Sequence, residues 1–419
     1  MASMRLEDID LLSPDTFIAG PPHDVFARLR REAPVFLHHR PDRPPFWVVA
    51  RYQDVVSVSR DWSSFSSGRH GALLDEQPER ARQQQSQTMV NLDPPEHTRL
   101  RGLVGRFFTP AAIESRTRRI RALSTVILDR VSERGECDFV RDIAAAFSLA
   151  VIAEMLGFPD EDDRRRVDRL TTILSDPLEQ AFPDATMRAS MEIFEFANEL
   201  AGWRRRAPSD DLVSVLTLAQ PDGERLTQRE FELFFLLLAT AGHVTTRHLL
   251  AGAMLALFEH PPQWRALVEN PALLGTGAEE MLRWVTPGMQ FQRTAARDAV
   301  IGGQPVAAGD RVALYYVSAN RDESAFENPG RFDLARTPNA HVSFGAGGPH
   351  FCLGSSLARL EIRVLFDELA RRMPDIELAG LPDYLCSTFI NGLRSMPVRF
   401  TPTPALRTRP PVRSHRESA

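Results

Sequence analysis

The sequence predicts a mainly α fold with a minor β portion, on three observations. Apolar side chains recur at helical spacing over most of residues 95–270. A capping box, Thr227-Gln228-Arg229-Glu230, opens a stretch that runs without Pro to His260. Strand-like alternation is confined to short pieces such as Phe46–Val49 and Arg311–Tyr316.

Taken in order, the N-terminus MASMRLEDID carries charges from the start and has no apolar run, so it resembles neither a secretion signal nor a membrane anchor. Phe46-Trp47-Val48-Val49 is a short strand-like piece of aromatic and β-branched residues. Ser66–Gln87 is a polar stretch with Gly and Pro that ends Gln-rich, and Asp176–Asp184 interrupts the helical pattern in the same way; both read as mobile loops of the kind that gate a pocket. In Asp93-Pro-Pro-Glu-His-Thr-Arg-Leu-Arg101, His97 and Arg101 lie four apart on one helix face. The dominant element runs from Thr227 to His260, roughly 50 Å of helix and long enough to cross the molecule. Its most apolar run, Phe231–Ala241, is too short to span a bilayer. At its centre, Ala241-Gly242-His243-Val244-Thr245-Thr246 sets poor helix formers where packing is tightest. Either another helix approaches closely at Gly242, with Thr hydroxyls bonded to carbonyls one turn earlier, or something flat lies against the backbone with a Thr hydroxyl facing it. The segment alone favours the first. Glu280-Met281-Leu282-Arg283 puts an ion pair at i,i+3 on one helix face. A Gly-rich segment, Phe344–Gly354, then leads into an amphipathic helix, Ser355–Arg371, and the Pro/Arg-rich residues 403–419 are expected to be disordered.

Composition narrows the chemistry. The chain has 419 residues with 50 basic and 55 acidic side chains, a net charge of −5, and every basic one is Arg. The absence of Lys excludes Schiff-base lyases, pyridoxal-phosphate enzymes, Walker-type nucleotidases and protein kinases, each of which needs an ammonium at a fixed place. A mildly acidic balance without a long basic block argues against a nucleic-acid partner. Three scattered Cys, at 137, 352 and 386, support neither a disulfide framework nor a Cys-rich zinc site, and point to a reducing, cytoplasmic setting.

The Gly-rich segment Phe344-Gly345-Ala346-Gly347-Gly348-Pro349-His350-Phe351-Cys352-Leu353-Gly354 places a Cys where a loop enters a helix. Backbone N–H groups and the helix dipole stabilise a thiolate there, which suits a nucleophile with His350 as base or a metal ligand. The segment resembles the haem-binding signature of the cytochrome P450 family, and other family motifs follow in order. Glu280–Arg283 is similar to the ExxR element, Pro329-Gly330-Arg331-Phe332 to the segment that supplies a third Arg, and the His97/Arg101 pair and Arg293 to the family's propionate ligands. The resemblance runs from about Val25 to Thr401. It implies a P450 fold whose long central helix crosses haem b, in a haem domain of residues 25–402 preceded by an N-terminal segment, 1–24. It implies that Cys352 is the axial iron ligand and that His97, Arg101, Arg293 and His350 hold propionates. Phe344, Gly354, Ala241 and Gly242 would line the cofactor, Thr245 would be catalytic, and Glu280, Arg283 and Arg331 would form a structural triad.

Two departures from the family pattern stand out. Seven residues separate Phe344 from Cys352 where the signature has six, so the turn is expected to bulge at Gly347-Gly348. In the long helix, Val244 replaces the acid that precedes the oxygen-site Thr, so protons come by Thr245 and ordered water, by a substitute such as His243 or the substrate, or serve a chemistry other than hydroxylation. The first is favoured, since His243 points about 100° away from Val244.

The resemblance implies a monooxygenase that inserts one oxygen atom of O2 into a lipophilic small molecule. Scaffold motifs such as Ser318–Ser324 and Phe332–Arg336 resemble actinobacterial enzymes that oxidise terminal carbons of methyl-branched lipids and sterol side chains; natural-product tailoring is about equally plausible, with the Val244 departure tilting slightly toward it. The alternatives are a peroxide-using or non-hydroxylating haem-thiolate enzyme, or a haem-thiolate protein that binds ligand without turnover. The retained Thr245 argues against them. The length accommodates the haem domain alone, so electrons come from a separate ferredoxin and its reductase, docking on Arg106, Arg116, Arg118, Arg119 and Arg359 of a monomeric protein without a membrane anchor.

Overall fold

The computed structural model describes residues 5–40, 42–74, 86–158, 160–176, 183–218 and 226–406. Most of the Gln-rich run, the centre of the Asp176–Asp184 segment and the tail beyond residue 406 lie outside these residues. Contacts divide the chain into two units, the first of residues 1–100, 279–353 and 384–392, the second of the remainder.

The first unit is built on a five-stranded sheet in the order Val35–Arg40, Arg43–Val49, Arg311–Tyr315, Gln290–Ala295, Phe65–Ser66. The second and third strands run parallel, with Trp47 opposite Val312. Alternation along them fills both faces. Phe46, Val48, Ala313 and Tyr315 pack with Phe26 and Leu29 of the helix His23–Glu32. Val49, Val312 and Leu314 pack with Val55 and Val58 of the helix Tyr52–Arg60. Period-two side chains on a sheet covered on both sides give this arrangement.

The second unit is helical, with a small sheet of Glu136–Asp138, Pro397–Arg399 and Glu377–Leu378. The expected long helix spans Gln228–Glu259, 32 residues or about 48 Å. Thr227 and Glu230 cap it reciprocally, as the box predicts. The whole helix is long and apolar enough to cross a membrane, but most of its apolar window is buried, as in the core helix of a globular fold. It packs on the helices Ala146–Leu156, Glu161–Ser175 and Pro183–Arg206. Phe235 stacks in a cluster with Phe158 and Phe196, ring centres 5.1 to 6.0 Å apart.

Candidate active site

In the first unit, Cys352 is exposed at the end of a turn whose backbone only Gly adopts readily: Gly345, Gly347 and Gly348 have φ of 84°, 93° and 78°. The Cys352 N–H donates to the Phe344 carbonyl at 2.8 Å and closes the loop. Gly347 and Gly348, where the bulge is expected, both adopt the left-handed backbone. Asn320 fixes the entry to the turn: its Oδ1 accepts from Val342 N–H at 2.8 Å and its Nδ2 donates to Ser343 Oγ at 2.9 Å.

The ExxR pair is fully buried. Arg283 donates from Nε and Nη2 to the two Glu280 oxygens, each at 2.8 Å, and from Nη1 to the Asn320 carbonyl at 2.8 Å. The third Arg differs from expectation. Arg336, not Arg331, reaches Glu280, with Nε 3.1 Å from Oε2. The Arg331 side chain is 68% exposed and lies 3.4 Å from Asp333, while its carbonyl accepts from Arg283 and Arg336. The chain turns after Arg331, so the guanidinium five residues later is the one directed inward.

Three candidate propionate ligands lie in the first unit. The rings of His97 and His350 are 4.3 Å apart, and His97 is buried. Arg293 is 4% exposed; it donates to the carbonyl of Gln292 at 2.7 Å, and no carboxylate among the described residues pairs with it. Burial pulls its affinity for a proton down, while the more distant Tyr316 and Asp93 raise it. A buried guanidinium without a carboxylate is costly unless an anion arrives. This set fits haem b: a free cysteine sulfur on an open turn, and imidazoles with a guanidinium able to bond to carboxylates. Arg101 shares the helix Glu96–Val104 with His97 but is assigned to the second unit.

Ala241, Gly242 and Thr245 also belong to the second unit, as does Gly354, which caps the helix Ser355–Arg372. Thr245 Oγ1 donates to the Ala241 carbonyl at 2.7 Å, the back-bond expected of a mid-helix Thr. A Cβ on Gly242 would lie 2.7 Å from Ile152 Cδ1, so this Gly permits close contact with the helix Ala146–Leu156. Val244 is buried. Its neighbour His243 is committed elsewhere: Nδ1 meets Ser148 Oγ at 2.9 Å and Nε2 meets Asp168 Oδ1 at 2.9 Å. Burial holds His243 below the usual imidazole range, against the pull of Asp168. Burial raises Asp168, but the bond and charge of His243, with Arg247, outweigh it and leave the carboxyl below its ordinary value. Arg247 donates to Thr172 Oγ1 at 3.3 Å, on the helix Glu161–Ser175. Sequence reading missed Ser148 and Asp168, because no local pattern marks partners 95 and 75 residues away.

Of the docking candidates, Arg106 and Arg118 are exposed. Arg119 is held by Glu154 at 2.6 Å, and the Arg116 side chain is only 11% exposed.

The cytochrome P450 family profile matches residues 268–372. The chain is 40% identical over 406 residues to a steroid C26-monooxygenase of Rhodococcus jostii, covering 94% of this chain and 85% of that one. It is 42% identical over 415 residues to a methyl-branched lipid omega-hydroxylase of Mycobacterium tuberculosis, covering 96% and 95%. A solved Mycobacterium marinum cytochrome P450 in complex with pseudoionone superposes with a TM-score of 0.88 at 39% identity, covering 95% of this chain and all of that one. Fold and sequence together define a haem-thiolate monooxygenase. The chain belongs to the cytochrome P450 family, binds haem b, and uses O2 and redox partners.

Proposed function

We propose that this enzyme oxidises the terminal, methyl-branched end of a lipid or sterol side chain, with Cys352 as the axial thiolate. The observation that carries the substrate class is near-full-length similarity to a steroid C26-monooxygenase and a methyl-branched lipid omega-hydroxylase. Haem b, once bound, supplies the oxygen-inserting chemistry. The protein's part is to bind and orient it. His97, Arg101, Arg293 and His350 take the propionates; burial of Arg293 strengthens its bond to an anion. Phe344 and Gly354 frame the thiolate turn. Ala241 leaves an exposed stretch of helix for the cofactor, whereas the space over Gly242 is taken by Ile152, and the Thr245 hydroxyl positions water for proton delivery.

Electrons come from a separate ferredoxin and reductase, and Arg106 and Arg118 are the guanidiniums open to steer an acidic partner. The haem domain is residues 25–402 of a monomeric, cytoplasmic enzyme. A substrate-induced spin-state screen over sterols, branched fatty acids and polyketide or peptide intermediates tests the substrate class. Saturable low-to-high-spin shifts with sterols or branched acids, and terminally hydroxylated product with ferredoxin and reductase, are expected. Shifts only with polyketide or peptide intermediates replace this reading with natural-product tailoring, and turnover with peroxide alone replaces it with a peroxygenase.

A further inference from the structure

A turn lengthened by one residue gains backbone freedom, yet this one is tied to the last turn of the helix Tyr52–Arg60. Ser59 Oγ donates to the Gly347 carbonyl at 3.3 Å, and Arg60 Nε donates to the Ala346 carbonyl at 3.1 Å. Ala346 packs into the cluster that holds Val55 and Val58 of the same helix. The approach is close enough that a Cβ on Gly348 would lie 2.6 Å from the Ser59 carbonyl oxygen, and one on Gly347 would lie 3.2 Å from Arg60 Nε. Gly348 is therefore required twice, by a left-handed backbone and by lack of space, and Gly347 by its left-handed backbone. The two tied carbonyls, of Ala346 and Gly347, lie at and just before the Gly pair where the added residue is expected.

We infer that Ser59 and Arg60 are positioning residues for Cys352: they hold the lengthened turn in the conformation that presents the thiolate. The inference rests on Cys352 being the haem ligand, and the test separates the two claims. Holoenzymes carrying Ser59→Ala, Arg60→Ala and both are compared with wild type for the rate at which the ferrous–CO Soret band leaves its thiolate position in mild denaturant. The ferric/ferrous midpoint potential and global unfolding by circular dichroism are followed in parallel. With two hydrogen bonds removed, the double variant is expected to lose the thiolate band about tenfold faster. Its potential shifts, and the loss of the band is accelerated by more than its lowered global unfolding midpoint accounts for. Loss at the wild-type rate, or only in step with global unfolding, overturns the positioning role while leaving the ligand assignment intact. A wild-type protein without a thiolate band overturns both.

Discussion

The Cys352 turn and the centre of the long helix each depart from the pattern of the family, and neighbouring residues meet the two departures differently. In the turn the departure is an extra residue of backbone. Carbonyls are available at every residue, so donors on an adjacent helix, Ser59 and Arg60, can absorb it. In the helix the departure is a lost carboxyl at Val244, and another residue of the same helix can replace it directly only from the same face. The nearest titratable candidate, His243, is turned toward Ser148 and Asp168 and is fully buried there. A backbone insertion can thus be met by packing, whereas His243, held by Ser148 and Asp168, does not take the place of the missing carboxyl.

The largest effect that would sharpen this contrast lies at the support of the Cys352 turn. Arg336→Ala removes a charge-assisted bond from fully buried Glu280 and is expected to cost roughly 2–3 kcal/mol in urea unfolding. Arg331→Ala, at an exposed side chain, should stay within about 0.5 kcal/mol. Equal losses would return the third triad arm to Arg331.

At the long helix, Val244→Glu buries a carboxyl and should lower stability by about 1–3 kcal/mol while raising the share of electrons that end in product. If product per electron and the solvent isotope effect stay unchanged, proton delivery is not limited at this position.

The smallest effect concerns His243, which faces Asp168 on one helix and Ser148 on another, with Arg247 and His248 on its own. Its folded pKa lies below the unfolded value of about 6.5, so the unfolded chain binds more protons as pH falls through that value. Stability is therefore fully present above about pH 6.5 and declines below it. His243→Asn should flatten this decline in a Tm-against-pH series; an unchanged slope would assign the decline to other groups.

What could be read from sequence follows from range. The long helix, its capping box, the Cys352 turn and the Glu280/Arg283 pair are set by residues within a few positions of one another, and all were legible. Arg336 was missed because the third arm crosses a turn, where spacing no longer says which of two guanidiniums points inward. Ser59 and Arg60 meet the Cys352 turn across 288 and 286 residues, and nothing in their own segment marks them. Gly242 had two readings. The packing one is met by Ile152, a contact that only the fold reveals.

The central claim, that Cys352 is the thiolate ligand of a bound haem, is tested most directly by the dithionite-reduced carbon monoxide difference spectrum of wild type beside Cys352→Ser. Wild type should give the red-shifted Soret band of thiolate-ligated ferrous haem, and the variant should lose that band while retaining its helical circular dichroism. A wild-type spectrum without the band, or a variant that keeps it, would contradict the account.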